Sequence, residues 1–98
     1  MDVKLNPQEK ELYKITDEIL FYVWDPIGVS PDPYARDEYL SYLPQVFQML
    51  IDDKPTEEII EYLIKIVLDN IGLKPNKKHT EEVVELLEAC KEKIFNNS

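Results

Sequence analysis

The fold class is decided by residues 6–24, which read NPQEKELYKITDEILFYVW. Asn6 is suited to accept a hydrogen bond from a free backbone N–H, Pro7 suits the first helical position, and Glu9 can close a capping box. The apolar residues that follow recur at helical spacing and predict one buried stripe: Leu12, Ile15, Ile19, Tyr22 and Val23. This pattern predicts an amphipathic helix that is ended by Asp25 and Pro26.

The next segment predicts a loop and a second helix. Residues 25–34 hold three prolines and one glycine, which is typical of an ordered loop. A helix is expected over residues 35–51, with these residues inward: Tyr39, Leu40, Leu43, Phe47, Leu50 and Ile51. Pro44 lies inside this pattern, so the prediction is either one kinked helix or two short helices stacked end to end.

Two further helices are expected from Thr56 and Thr80, each a capping threonine followed by two glutamates. Gly72 should end the third helix. The predicted inward residues are Ile60, Leu63, Ile64, Val67 and Ile71 in the third helix, and Val83, Leu86, Leu87, Cys90 and Ile94 in the fourth. The strings TEEIIEYL and TEEVVELL fit either an internal repeat or two helices with similar starts. The sequence therefore predicts an all-α fold, a compact bundle of four helices in one domain over residues 1–98.

Composition excludes several classes of function. Twenty acidic residues against eleven basic ones give a net charge of −9, which argues against nucleic acid as a partner. A single cysteine excludes an intramolecular disulfide and a multi-cysteine zinc site. The longest apolar run, residues 19–24, is far shorter than the roughly 20 residues of a membrane span. No signal-peptide pattern opens the chain, so we expect a cytoplasmic protein that binds no membrane.

The negative charge is concentrated between residues 17 and 61. That stretch holds eleven acidic residues against Arg36 and Lys54, and it contains seven of the ten aromatic residues. It is either a solvated acidic face over core aromatics or a surface that binds a basic protein. For the second interpretation we expect six partner-binding residues: Tyr34, Asp37, Glu38, Tyr42, Asp52 and Asp53.

Few residues in the sequence are candidates for catalysis or metal binding. His79 has no second histidine for a metal and no neighbouring nucleophile, and Cys90 lies on the predicted inner face of its helix. No phosphate-binding loop, nucleophile elbow or zinc-helix motif occurs. We therefore expect no enzyme, no catalytic residue, no cofactor and no metal. A weaker alternative is a metal-dependent enzyme with Mg²⁺ held by acidic residues: Asp25, Asp37 and Glu38.

One segment resembles a known family. Residues 24–29 read WDPIGV, and Asp37, Glu38, Tyr39, Tyr42 and Pro44 follow as D-E-Y-x-x-Y-x-P. This segment resembles small bacterial proteins of the YugE-like family, whose function is unknown. The resemblance implies a small all-helical domain, brings no catalytic residue, and extends loosely to immunity proteins encoded beside bacterial toxin genes.

The motif also has a structural interpretation, as a folding device rather than a site. Trp24 would cover the corner between the first two helices, Pro26 would end the first helix, and Gly28 would let the chain turn. Asp25 would cap the helix or pair with Arg36, the only arginine, which is otherwise expected to be solvated.

These observations favour a non-enzymatic binding protein. The specific hypothesis is an immunity protein that neutralises a cationic toxin, such as a nuclease, by occluding its active site. The alternative is a housekeeping interaction or scaffold module with a solubilising acidic face.

Overall fold

The computed structural model describes residues 5–25, 28 and 39–96, and these residues form four helices with no strand among them. Their bounds are Pro7–Ile19 for α1, Leu43–Ile51 for α2, Thr56–Lys65 for α3 and Lys77–Asn96 for α4. Two of the helices, α1 and α3, continue into π-helical segments at Leu20–Trp24 and Ile66–Ile71. The predicted all-α bundle of four helices is confirmed.

Helix α1 begins at the capping box that the sequence predicts. The Asn6 side chain accepts from the Glu9 backbone N–H at 2.8 Å, and the Glu9 carboxylate accepts from the Asn6 N–H at 3.0 Å. Pro7 occupies the first turn, where a missing N–H costs nothing.

The end of α1 departs from the predicted stripe. Tyr22 and Val23 were expected to face inward, yet they are 58% and 40% exposed. Leu20, Phe21 and Trp24 are buried in their place. The cause is the π-helical segment. Its backbone hydrogen bonds join residues five apart instead of four, so the turn holds one extra residue and the later side chains point in a different direction. The π-helical bond from the Asp25 N–H to the Leu20 carbonyl, 3.1 Å long, closes the segment.

Helix α2 begins later than predicted. Residues 39–42 form turns, and the helix starts at Leu43 with Pro44 in its first turn. No continuous helix therefore passes through Pro44. Proline is accommodated in the first turn of a helix because the N–H groups there have no intrahelical acceptor. Residues 35–38 lie outside the described residues. Leu40 precedes the helix and is 43% exposed, so its expected place in the core is also wrong.

The threonines that were expected to cap α3 and α4 do not do so. Pro55 occupies the N-cap position of α3, which leaves Thr56 inside the first turn. In α4 the side chain of Asn76 accepts from the His79 N–H at 3.0 Å, so the helix begins before Thr80. The Thr80 hydroxyl is buried and donates to the Asn76 carbonyl at 2.8 Å.

The predicted stop of the third helix is confirmed. Gly72 has a φ of +78°, in the left-handed region that favours glycine, and it ends the π-helical segment of α3. The following N–H, that of Leu73, donates back to the Val67 carbonyl at 2.9 Å.

Contacts between the helices give an up-down-up-down bundle in which α4 packs against α1, α3 and α2. Lys91 on α4 binds Asp53 and the Leu50 carbonyl at one end, which we call the lower end. His79 lies 2.8 Å from the Val23 carbonyl at the other end, the upper end. Helices α1 and α3 therefore run from the lower to the upper end, and α2 and α4 run back.

The core draws on all four helices. Leu12, Val46, Leu63 and Leu87 have no exposed surface. On α4 the expected inward residue Leu86 is 40% exposed. Across the described ranges, no helix has the length and apolar character needed to cross a membrane.

Candidate protein-binding surface

The residues predicted from the sequence divide between described and undescribed parts of the chain. Three of the expected partner-binding residues, Tyr34, Asp37 and Glu38, lie outside the described residues, as do Pro26 and Arg36 of the motif. The proposed Asp25–Arg36 pair and the Mg²⁺ alternative therefore stay predictions. The structure describes the other predicted motif residues, which are Trp24, Asp25 and Gly28. It also describes the other expected binding residues, which are Tyr42, Asp52 and Asp53.

The motif residues meet at the corner where α1 ends. Trp24 is 2% exposed, and its ring centroid lies 5.3 Å from that of Tyr39 and 6.2 Å from that of Tyr42. Asp25 has a φ of +30° and its carboxylate oxygen accepts from the Tyr39 hydroxyl at 2.7 Å. The same oxygen accepts from the Gly28 N–H at 3.1 Å. Trp24 and Asp25 thus take part in packing and hydrogen bonding within the fold.

Asp52 and Asp53 differ in their surroundings although both are exposed. Asp53 lies at the end of α2 with a φ of +55° and binds the ammonium of Lys91. That ammonium also reaches the Leu50 carbonyl, as expected for a cation at a helix C-terminus. Asp52 accepts a neutral hydrogen bond from the Gln48 amide at 3.0 Å. Among the described residues no cation offsets the Asp52 carboxylate, whereas Lys91 partly offsets that of Asp53.

Helix α3 adds carboxylates that were not among the expected binding residues. Glu57, Glu58 and Glu61 lie in its first two turns and are exposed. Their positions follow from the helical period, because the opposite face of α3 carries the buried Ile59, Ile60 and Leu63. A search of the sequence for exposed positions on this helix would have identified them.

Tyr62 accompanies these carboxylates on α3, and Tyr42 lies near Tyr62. Tyr62 is half-buried on α3, one turn after Glu58, and therefore lies on the same face of the helix. Burial, and then the nearby Tyr42, raise the pKa of the Tyr62 phenol above its ordinary value. Tyr42 is also half-buried, so both rings combine a packed body with a partly accessible edge.

We define the acidic surface as the exposed carboxylates together with these tyrosines: Asp52, Glu57, Glu58, Glu61, Tyr42 and Tyr62. Carboxylates of this kind can accept charge-assisted hydrogen bonds from lysine or arginine, and tyrosine rings can supply apolar contact area. In the ranges that the structure covers, no group of three or more potential metal-ligating side chains comes together.

His79 and Cys90 both contribute to contacts within the fold. His79 is half-buried, and its Nε2 lies against the Val23 carbonyl, which ties α4 to the end of α1. Cys90 is a free, half-buried thiol that packs against the core.

Comparison with protein-family models, with curated proteins and with solved structures gave no match to this chain. The resemblance of residues 24–44 to YugE-like proteins remains an expectation from the motif.

Proposed function

We propose that this chain is a non-enzymatic binding protein whose acidic surface captures a basic protein. In its specific form, the chain is an immunity protein that occludes the active site of a cationic toxin domain. The observation that carries the proposal is a set of four exposed carboxylates after α2 and on α3, with the half-buried Tyr62 one turn after Glu58 and Tyr42 near Tyr62.

Charge supports the encounter step. Residues 52–61 contain five acidic residues and one lysine, and the one carboxylate with a described ammonium partner is Asp53. A surface of one sign accelerates association with an oppositely charged partner and disfavours partners of like charge. A nuclease cleft is lined with lysine and arginine side chains that bind phosphate, so its charge is complementary to such a surface.

The tyrosines support the bound state. Tyrosine is enriched among the residues that contribute most to interface stability, because it combines a large ring with a hydroxyl. Tyr42 packs against buried Trp24, so its ring is held by the fold before a partner arrives. Less side-chain entropy is then lost on binding.

Co-expression tests the proposal. The open reading frames on either side of the gene are expressed with and without the chain, and bacterial growth and complex formation are measured. We expect a neighbour that encodes a basic, growth-inhibiting protein, and we expect the chain to restore growth and to copurify with it in a defined stoichiometry.

A variant separates binding from an indirect effect on growth. Glu58→Lys combined with Glu61→Lys reverses two charges on the acidic surface, and Glu82→Lys with Glu85→Lys makes the same change on exposed α4 positions. We expect only the α3 variant to lose rescue while both remain folded. Rescue by both variants would show that the acidic surface is not the binding site, and no toxic neighbour at all would favour the housekeeping scaffold instead.

A further inference from the structure

The connection between α3 and α4, at the upper end of the bundle, has a local charge opposite to that of the acidic surface, between the flanking acidic residues Asp69 and Glu81. Residues 70–80, which read NIGLKPNKKHT, contain three lysines and a histidine and no acidic residue, although the chain carries a net charge of −9. Lys74, Lys77 and Lys78 are all exposed. They lie in the connection between α3 and α4 and in the first turn of α4.

Exposed apolar side chains accompany these lysines. Tyr22 and Val23 at the end of α1 are 58% and 40% exposed, and Leu68 and Leu73 near the end of α3 are 54% and 44% exposed. Both helices end here as π-helical segments, which occur frequently at functional sites. The same change of helical phase that buries Phe21 and Trp24 turns Tyr22 and Val23 outward.

A recess of about 340 Å³ lies between these elements. Val23, Trp24, Val67 and Pro75 contribute apolar walls, and Lys74 and His79 contribute cationic or polar ones. Its volume suits one or two side chains rather than an extended cofactor. Asp25 is the one acidic residue among its described lining residues, and that carboxylate already accepts hydrogen bonds from Tyr39 and Gly28.

Hydrogen bonds within the fold order the segments that line the recess. His79 joins the Val23 carbonyl, Asn76 caps α4 through the His79 N–H, and the Leu73 N–H binds the Val67 carbonyl. The first of these bonds joins α4 to the end of α1, and the other two order the start of α4 and the end of α3. A ligand would therefore meet a preformed site, which lowers the entropy lost on binding.

We propose that the upper end is a second docking site, for an acidic peptide segment of a partner protein. An apolar side chain of that segment occupies the recess beside Val23 and Val67, and its carboxylates contact Lys74, Lys77 and Lys78. The charge complementarity is local, because the Debye length of about 8 Å at physiological salt screens the acidic surface from a short ligand. The recess favours a peptide over a membrane or a nucleic acid, because neither a bilayer surface nor a phosphate backbone supplies a side chain to fill it.

The test uses the full chain and a synthetic peptide in which glutamates flank a central leucine-phenylalanine pair. Titration followed by amide NMR should shift the resonances of residues 22–24 and 67–80. A matched peptide with glutamine in place of glutamate should bind about tenfold more weakly, as expected when several exposed ion pairs are lost. The triple variant Lys74→Gln, Lys77→Gln, Lys78→Gln should reduce the affinity for the glutamate peptide by a similar factor.

A control variant separates local from overall charge. Lys10→Gln, Lys14→Gln, Lys93→Gln makes the same change in net charge at exposed positions of α1 and α4. We expect it to bind the acidic peptide like the unmodified chain. Equal losses in both triple variants, or shifts confined to α2 and the first turns of α3, would overturn the proposal. So would an absence of shifts, or binding to phosphatidylserine vesicles in place of the peptide.

Discussion

The hydroxyl of Thr56 donates a hydrogen bond to the carboxylate of Glu88, with Oγ1 lying 2.8 Å from Oε2 and 3.0 Å from Oε1. The two residues are distant in sequence and join the first turn of α3 to α4. The sequence pattern assigned this hydroxyl to a helix cap, yet Pro55 takes the cap position. A hydrogen bond to an ionised acceptor is stronger than the neutral bond of a cap, so the arrangement fixes how α3 packs on α4.

Replacing Thr56 by valine should destabilise the fold by about 1.5–3 kcal/mol, the range for a hydrogen bond to a charged group. Valine keeps the shape and the helix propensity of threonine, so the loss reports the hydroxyl. Urea denaturation measures the free energy of unfolding. Glu85→Gln, at an exposed position on α4 one turn before Glu88, should cost less than about 0.5 kcal/mol. Equal costs for the two variants would show that the bond contributes nothing measurable.

Core truncations should separate inward from outward leucines. Leu63→Ala and Leu87→Ala remove fully buried side chains and should each cost about 2–5 kcal/mol. Leu86→Ala removes a side chain that is 40% exposed, and should cost less than about 1 kcal/mol. Thermal or urea unfolding measures all three. A larger loss for Leu86→Ala than for Leu87→Ala would mean that α4 turns Leu86, and not Leu87, toward the core.

Much of the fold could be predicted because local signals and helical periodicity agree in the interior of each helix. The Asn6 capping box and the Gly72 stop depend on neighbouring residues alone, and both are confirmed. The phase error at Tyr22 and Val23 arises because a π-helical turn leaves no clear mark in a pattern of apolar residues. The start of α2 was misplaced because an apolar sequence before Pro44 fits either a helix or packed turns.

The site was harder to predict, since it depends on which residues of different helices meet. Composition located the acidic part of the chain, but it could not show that Lys91 offsets Asp53. Tyr62 was assigned no role, because its proximity to Tyr42 arises from the packing of the bundle. Charge counts report sequence neighbours, whereas a binding surface is built from neighbours in space.

Trp24, at the corner where α1 ends, should contribute to the stability of the fold. Trp24→Ala removes a side chain that is 2% exposed and packs against Tyr39 and Tyr42, so it should cost about 3–5 kcal/mol. Tyr22→Ala lies two residues earlier, is 58% exposed, and should cost far less. Differential scanning calorimetry gives both melting temperatures. If Tyr22→Ala lowered the melting temperature as much as Trp24→Ala, the π-helical phase at the end of α1 would be wrong.

Alkaline pH should destabilise the fold through Tyr62. Its pKa is raised in the folded state by burial and by Tyr42, so the native protein holds the phenolic proton more tightly than the unfolded chain. The resulting stability is present below the ordinary tyrosine pKa of about 10 and is lost as pH rises through the higher folded value. Tyr62→Phe should show a shallower loss of stability than the unmodified chain above about pH 10. The loss of stability of Tyr42→Phe should be intermediate, because this variant removes the effect of Tyr42 on the Tyr62 pKa and leaves the effect of burial. Identical slopes in urea unfolding at pH 9 and above would contradict this assignment.

Association with the basic partner found by co-expression should depend on where carboxylates are neutralised, and not only on how many. Asp52→Asn, Glu57→Gln, Glu58→Gln and Glu61→Gln together should slow association about tenfold at low salt and flatten its salt dependence. The matched control neutralises four exposed acids on α1 and α4: Glu11, Glu18, Glu82 and Glu85. It leaves Glu88 intact because Thr56 binds that carboxylate, and Asp53 is likewise excluded from the test set because of Lys91. Stopped-flow kinetics across a salt series, with unfolding curves for both variants, measures the effect. Equal slowing by the two sets would show that net charge alone steers the partner, and the acidic surface would then lose its assigned role.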